Sequence, residues 1–112
     1  MQELKERLRD FAVARDWDQF HSPKNLAMAL SVEVAELVEH FQWLTQEESR
    51  KPNNSLRHKI EDEIGDIMIF LTMLADKFDI DPVTAAKEKI ETNEKRYPVG
   101  LAKGRADKYT DL

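Results

Sequence analysis

Apolar residues recur at helical spacing along most of the chain. Leu4, Leu8 and Phe11 lie one turn apart near the N-terminal end, and longer stretches further on repeat the same period. Prolines and capping residues separate these stretches from one another. The pattern predicts four helices, over residues 2–16, 23–43, 56–78 and 82–97.

The predicted helix starts carry capping residues. Ser22-Pro23 and Asp81-Pro82 are both typical of an N-cap followed by the first helical residue. Ser55 is expected to cap the third helix. In the connector before it, Thr45 and Glu48 have the spacing of a capping box and predict a short turn.

The composition predicts a single all-α domain. A chain of 112 residues is long enough for one domain with a core of its own. With only 3 glycines and 4 prolines, it lacks the turn residues of a β-sandwich and the glycines of a phosphate loop. We expect a helical domain over residues 1–97 and, because the last residues show no periodicity, a loose tail over residues 98–112.

Charge and cysteine content exclude several function classes. The chain has no cysteine, which rules out disulfides, thiolate zinc sites and cysteine nucleophiles. A net charge of −5 argues against binding to a nucleic-acid polymer. The longest apolar run, residues 67–75, is far shorter than the ~20 residues that span a bilayer. We therefore expect a cytoplasmic protein with neither nucleic acid nor membrane as its partner.

The second and third predicted helices share an internal pattern. Each carries a pair of acids in the spacing E-x-x-[ED], Glu33 with Glu36 in the second helix and Glu63 with Asp66 in the third. In each helix an apolar stripe lies on one side of the first acid. Two such helices joined by a short connector would pack by their stripes. The four carboxylates would then converge from opposite sides.

Four converging carboxylates are typical of a cation site. Glu33 and Asp66 are embedded in apolar stretches, where ionised acids rarely lie unless they are paired or bound to a metal. Two like charges ~4 Å apart repel by about 4 kcal/mol at an effective dielectric of ~20, which a divalent cation relieves. Ligand sets made only of carboxylates select Mg²⁺, with Mn²⁺ as the alternative, over zinc or copper. A buried acidic cluster with a purely structural role is the competing interpretation.

Aromatic residues outside the acid pairs are candidates for holding the rest of a substrate. The loop after the first helix contributes Trp17, Phe20 and His21, and Trp43 extends the acid-bearing edge of the second helix. Aromatic side chains stack on nucleobases, although a core role is an equal interpretation for Phe20. On the fourth helix, one face fits either phosphate contacts or a solvated surface. That face comprises Lys89, Asn93 and Arg96.

Four segments carry a known family pattern. They are RDWDQFHSPKNLAMALSVEVAELVEHFQW at residues 15–43, EDEIGDIMIFL at 61–71, KIETNEKRYP at 89–98 and KYTDL at 108–112. In these segments the chain resembles the MazG-like, all-α nucleoside triphosphate pyrophosphohydrolases, and within that group the small dCTP pyrophosphatases. The resemblance runs nearly from end to end, and the spacing of the acid motifs makes it specific.

The resemblance implies a fold, a cofactor and a reaction. The implied fold is the four-helix MazG-like fold in an intertwined homo-oligomer, a dimer or a dimer of dimers, with substrate sites near subunit contacts. The implied reaction cleaves a deoxynucleoside triphosphate between its α and β phosphates, giving a monophosphate and pyrophosphate. Its Mg²⁺ is held by an E-x-x-E and an E-x-x-D motif. Here these ligands are Glu33, Glu36, Glu63 and Asp66.

The resemblance also implies which residues bind the substrate. Residues 17–21 and Trp43 match positions that enclose the base and sugar in the dCTP pyrophosphatases. Leu8 and Phe70 depart from the animal enzymes, which carry a His and a Tyr there, and a site that loses a hydrogen bond loses discrimination. Positions that support phosphates or the site wall are matched by Asn25, Lys89, Asn93, Arg96 and Tyr97. The substrate-binding residues so implied are Trp17, Asp18, Gln19, Phe20, His21, Asn25, Trp43, Phe70, Lys89, Asn93 and Arg96.

The sequence therefore predicts a Mg²⁺-dependent pyrophosphohydrolase, with dCTP and 5-modified dCTP as the first expected substrates. Glu36 or Glu63 is expected to orient or deprotonate the attacking water, and the sequence leaves open which of them does so. One alternative is a broad MazG-type hydrolase with little base preference. A second is a catalytically silent helical module that binds nucleotide or metal.

Overall fold

The computed structural model describes residues 1–111, and every regular element in this range is helical. Leu112, the last residue of the predicted tail, lies outside the described residues. The all-α prediction is confirmed. The helices are α1 (Gln2–Ala14), α2 (Pro23–Glu39), α3 (Gln46–Ser49), α4 (Asn54–Lys77), α5 (Pro82–Arg96) and α6 (Val99–Ala102), with 3₁₀ turns at Asp18–Phe20 and Tyr109–Asp111. A search of the described helices finds none that is both long and apolar enough to cross a membrane.

Side-chain caps begin three helices where the sequence predicts them. The Ser22 hydroxyl accepts a hydrogen bond from the Asn25 N–H at 3.1 Å and caps α2. Thr45 forms the predicted capping box at the start of α3, and the Asp81 carboxylate accepts from the first turn of α5. These side chains satisfy N–H groups that have no partner within their own helix.

The cap of α4 differs from the prediction. Asn53, not Ser55, is the N-cap, because its side-chain oxygen accepts a hydrogen bond from the Leu56 N–H at 2.8 Å. Asn is among the strongest N-cap residues, and Pro52 before it cannot extend the helix backwards. The helix therefore starts earlier than Ser55 suggests.

Two of the long helices end at an aspartate in the left-handed conformation. After α1, Asp16 has a φ of 54°, and the Trp17 N–H donates to the Ala12 carbonyl at 3.0 Å. After α4, Asp79 has a φ of 56°, and the Ile80 N–H donates to the carbonyl of Ala75 at 3.0 Å. Both are Schellman motifs with aspartate where glycine is usual. For this reason α1 ends at Ala14, short of the predicted residue 16.

Helix α2 also ends earlier than predicted, at Glu39 and not at Trp43. The chain continues through tight turns, in which the N–H groups of His40 and Phe41 donate to carbonyls three residues back. Such bonds close the last turn of a helix. His40 still has helical backbone angles as the C-cap, whereas Trp43 lies in the turns beyond the helix.

The chain divides into two compact units, Met1–Ile80 and the residues from Asp81 onward. In the first unit α4 packs against both α2 and α1, as the shared apolar stripes of α2 and α4 predict. Its most deeply buried side chains are Ala12, Leu26, Thr72 and Ala75. The second unit contains α5, α6 and the last 3₁₀ turn. The division into a domain over residues 1–97 and a tail stays a prediction.

Two ion pairs hold α1 and the loop after it against α4. The Arg9 guanidinium binds both carboxylate oxygens of Asp76, with Nε to Oδ2 at 2.7 Å. These hydrogen bonds hold the pKa of Asp76 below its usual range. Lys77 Nζ lies 2.8 Å from Asp18 Oδ1 and attaches the loop after α1 to the same helix.

Candidate functional site

Three of the four predicted ligands meet where α2 packs against α4. Glu33, Glu36 and Glu63 each offer a carboxylate oxygen, and these oxygens lie within 4.8 Å of one another. All three side chains are partly buried. The E-x-x-E spacing places the two acids of α2 one turn apart, and the helix packing brings Glu63 of α4 to them.

The carboxylates in this cluster lack enough donors to satisfy them. Glu33 Oε2 and Glu63 Oε2 are both buried and without a hydrogen-bond partner. Burial and the neighbouring carboxylates, chiefly that of Glu36, together raise the pKa of Glu33 to about 7, and burial is the largest of these causes. Buried acceptors without donors and a carboxyl that resists ionisation both indicate uncompensated negative charge.

Asp66, the fourth predicted ligand, lies outside the group of three. Its negative charge nevertheless acts on Glu33 and contributes to the raised pKa of that residue. Asp66 follows Glu63 by one turn of α4. Asp66 is therefore near the cluster but is not one of the residues whose carboxylate oxygens lie within 4.8 Å of one another.

The donor set fits a hard divalent cation. Its three clustered ligands are carboxylates, and two of their oxygens have no other partner. Such ligands suit Mg²⁺, Mn²⁺ or Ca²⁺ and disfavour soft metals. A bound cation would provide the positive charge that the surrounding side chains lack.

His40 is a residue of this site that the sequence analysis did not include. Its Nε2 lies 3.5 Å from Glu63 Oε1, and both side chains are largely buried. The available signal is its spacing, because His40 follows Glu36 by four residues at the end of α2. That spacing alone did not indicate a contact with another helix.

An apolar groove of about 400 Å³ lies between α4 on one side and α1 with the loop after it on the other. It contains three of the predicted substrate-binding residues, Trp17, His21 and Phe70, together with the substituted position Leu8. Trp17 packs edge-on against Phe11, with ring centroids 5.6 Å apart. The remaining lining residues are Leu4, Arg7, Phe11, Ile69 and Met73.

Helix α4 contributes residues to both the groove and the carboxylate cluster. Phe70 follows Glu63 by two helical turns, so the two residues lie on the same side of the helix about 10 Å apart along its axis.

The other predicted residues of the loop make local contacts. Asp18 is bound to Lys77, and the Gln19 side chain donates to the Asp16 carbonyl at 2.9 Å. Asn25 Nδ2 donates to the Phe20 carbonyl at 3.0 Å and so fastens the loop to the start of α2. The Phe20 ring is mostly exposed and is not part of the groove lining.

The remaining predicted residues lie elsewhere. Trp43, in the turns after α2, is 88% exposed. Lys89, Asn93 and Arg96 are on α5, in the second unit. In that unit the Arg96 guanidinium lies 4.7 Å from the centre of the Tyr109 ring, and Tyr97 packs edge-on against the same ring.

Comparison with known proteins identifies dCTP pyrophosphatases among the relatives of this chain. The chain is 43% identical over 114 residues to dCTP pyrophosphatase 1 of Bos taurus, covering 100% of this chain and 68% of that protein. It is 39% identical over 114 residues to dCTP pyrophosphatase 1 of Homo sapiens, covering 100% of this chain and 67% of that one.

A solved structure supports the same relationship. The crystal structure of a pyrophosphatase from Archaeoglobus fulgidus superposes with a TM-score of 0.82 at 43% identity, covering 88% of this chain and 92% of that one. The MazG-like family matches residues 28–112, which include the acid motifs of both α2 and α4. The chain belongs to the MazG-like family.

Proposed function

We propose that this protein is a divalent-metal-dependent nucleoside triphosphate pyrophosphohydrolase that converts deoxynucleoside triphosphates, dCTP first among them, to monophosphate and pyrophosphate. The observation that carries the proposal is the cluster of Glu33, Glu36 and Glu63, with two buried oxygens that lack donors. Relatives at 39–43% identity over the whole chain are dCTP pyrophosphatases.

Mg²⁺ is the cation we assign to the cluster, with Mn²⁺ as a substitute. Glu33, Glu36 and Glu63 would hold it, and Asp66 would complete the acidic surroundings. When bound, Mg²⁺ supplies charge neutralisation for a triphosphate and acts as a Lewis acid. Because carboxylate sites of this kind leave Mg²⁺ with open positions, substrate phosphates are its natural further ligands.

The side chains divide the remaining work between water and substrate. Glu36 or Glu63 accepts the proton of the attacking water, which adds to the α phosphorus as pyrophosphate leaves. Trp17 and Phe70 provide apolar surfaces in the groove for stacking against the base. Lys89, Asn93 and Arg96 are assigned to the phosphates, because two of them are cationic and all three follow the family motif of α5.

A broader substrate range is the second candidate function. The groove presents Leu8 and Phe70, neither of which has a polar group for the base. Apolar contacts discriminate only weakly between similar substrates. A pocket built to hydrogen-bond a substrate, in contrast, strongly rejects a molecule that lacks the matching polar group. The same site would then hydrolyse several deoxynucleoside triphosphates at similar rates.

We also assign a homo-oligomer as the functional form. One face of α4 carries Ile64, Met68 and Leu71 at helical spacing, and Ile64 is 50% exposed. On α2, Met28 and Val32 are more than half exposed one turn apart. Apolar stripes on two packed helices are typical of a surface covered by another subunit, and a second copy of this chain is the partner we propose.

The test of the reaction is product analysis with matched variants. Wild-type protein, Glu63→Gln and Glu61→Gln are each incubated with the eight common triphosphates and Mg²⁺, and the products are separated by anion exchange. Glu61 is an exposed residue of the same helix that contacts Arg57, so its substitution should leave activity unchanged. Glu63→Gln should lower the rate by at least about 100-fold.

Each product pattern decides between the candidates. Monophosphate and pyrophosphate from dCTP alone support the dCTP pyrophosphatase. The same products from many triphosphates support the broad hydrolase. If wild-type protein forms no monophosphate from any of them, the proposed function is wrong. If wild type is active and Glu63→Gln is fully active, the assignment of the reaction to the carboxylate cluster is wrong.

A further inference from the structure

A small cavity lined by both charged and apolar residues lies next to the groove, between α1, the loop after it and α4. Its volume is about 40 Å³. Two ion pairs contribute to its walls, Arg9 with Asp76 and Lys77 with Asp18. Leu8, His21 and Met73 line both this cavity and the apolar groove. The two spaces are therefore neighbours.

Two buried polar atoms among the cavity-lining residues lack a hydrogen-bond partner. Thr72 is only 2% exposed, and its Oγ1 makes no hydrogen bond. Nδ1 of His21 is likewise buried and without a partner. Four of the five charged residues of the lining are paired, Asp76 with Arg9 and Asp18 with Lys77, and the fifth is Lys5. Thr72 Oγ1 and His21 Nδ1 are the buried atoms of the lining that lack a hydrogen-bond partner, and both belong to residues of this one small space.

We propose that Thr72 is a positioning residue for His21. In this arrangement the Thr72 hydroxyl donates to a water in the cavity and that water donates to Nδ1 of His21, so that Nδ1 is the acceptor and the proton of the neutral imidazole stays on Nε2. A polar cavity of this size holds water when several polar groups surround it, and a bridging water replaces a direct hydrogen bond. The fixed Nε2–H then serves as a donor to an acceptor on the substrate in the groove.

The proposal gives a largely apolar groove, in which Arg7 is the charged lining residue, a polar contact of fixed direction. The hydrogen bond made by one ring nitrogen determines the tautomer of an imidazole and therefore what the other nitrogen can offer. Loss of this constraint would let His21 present an acceptor in place of a donor. The substrate part of this inference rests on the proposed function, whereas the tautomer of His21 does not depend on it.

A competing arrangement involves Thr72 alone. In a helix the hydroxyl of a threonine can rotate to donate to the carbonyl one turn earlier, here that of Met68. Under that arrangement His21 would be independent of Thr72. Substitutions at position 72 would then change stability at most.

The experiment uses three variants that separate the hydroxyl from the rest of the side chain. Thr72→Val keeps the shape and removes the hydroxyl, Thr72→Ser keeps the hydroxyl, and Thr72→Ala removes both hydroxyl and methyl. The ring nitrogens of His21 are followed by ¹⁵N NMR in the protein without substrate, and a His21→Asn sample assigns its signals among the three histidines.

We expect wild type and Thr72→Ser to show His21 as the Nε2–H tautomer. Thr72→Val and Thr72→Ala should both show loss of this single form. If either one folds and retains the wild-type signature, the proposal is overturned. Because two variants remove the hydroxyl, a failure of one to fold leaves the other to decide.

Kinetics provide the second measurement. Thr72→Val should raise KM for the triphosphate by about fivefold with kcat changed less than about twofold, because the contact is to the substrate and not to the reacting phosphorus. Thr72→Ser should restore the wild-type KM. Unchanged KM in Thr72→Val overturns the substrate contact. Absence of hydrolysis in wild type contradicts the proposed function, while the NMR result still decides the role of Thr72.

Discussion

Nε2 of His40 lies 3.5 Å from Oε1 of Glu63, so the end of α2 touches a carboxylate of the acidic cluster on α4. His40 Nε2 is buried and makes no hydrogen bond, so this is a close approach that limits how far the proposed ligand Glu63 can turn away. Side chains that support metal ligands typically change metal affinity by about 10–100-fold when they are removed.

His40→Ala should therefore weaken metal activation. We expect the Mg²⁺ concentration for half-maximal hydrolysis to rise about tenfold, with the rate at saturating Mg²⁺ reduced much less. His58→Ala is the matched control, because His58 is 80% exposed and contacts only the exposed Glu61 among ionised groups. Equal Mg²⁺ dependence in wild type and His40→Ala would show that the contact has no role in metal binding.

The sequence predicts the local features of the molecule well. Ser22 and Asp81 begin helices as predicted because a cap acts within one turn of its own helix. The stripe of Leu4, Leu8 and Phe11 also has a structural counterpart, since all three residues line the groove. These features depend on neighbours three or four residues away, which the sequence shows directly.

Features that depend on contacts between helices are harder to predict from the sequence. The contact of His40 with Glu63 joins residues on different helices, and spacing along one helix does not reveal it. The end of α1 before Asp16 is missed by two residues for another reason, whereas the predicted end of α4 lies within one residue of the observed Lys77. Aspartate usually indicates a helix start, and here it adopts the left-handed conformation that usually indicates glycine.

Asp79→Gly should stabilise the protein. A φ of 56° is unfavourable for a residue with a Cβ, and glycine adopts it without that cost. We expect a gain of about 1 kcal/mol in the free energy of unfolding, measured by urea denaturation. The control is Asp62→Gly in the helical interior of α4, which should lose about 0.3 kcal/mol, because aspartate is already a poor helix former. Destabilisation by Asp79→Gly would mean that its carboxylate contributes more than its backbone conformation costs.

The raised pKa of Glu33 predicts a pH dependence of stability in the metal-free protein. Its pKa is about 7 in the folded chain against an ordinary value of 4.5, so the folded state binds this proton more tightly than the unfolded state. The resulting stability is fully present below pH 4.5 and is lost as the pH rises through 7. Asp76 and Glu48 have lowered pKa values and act in the opposite direction only at more acidic pH.

Thermal unfolding in a metal chelator between pH 5 and 8 measures this effect. Wild type should lose stability as the pH rises, by an amount on the order of 1 kcal/mol after allowance for partial exposure of the side chain. Glu33→Gln, which mimics the protonated form, should be flatter over the same range. Mg²⁺ should stabilise wild type most at the alkaline end, because it binds the ionised carboxylates. A wild-type stability that rises from pH 5 to 8 without metal contradicts the assignment.

A charge introduced into the apolar face of α4 should abolish subunit assembly and hydrolysis together. Met68→Glu places a charge in the middle of the stripe formed with Ile64 and Leu71. Burying an unpaired carboxylate in an apolar interface is strongly unfavourable, so this variant should elute as a single chain of 13.1 kDa by light scattering. Ser55→Glu adds the same charge at an exposed position of α4 and should assemble like wild type. Because the sites are proposed to lie near subunit contacts, Met68→Glu should also lose most of its hydrolytic rate, and a fully active single chain would refute the proposed assembly.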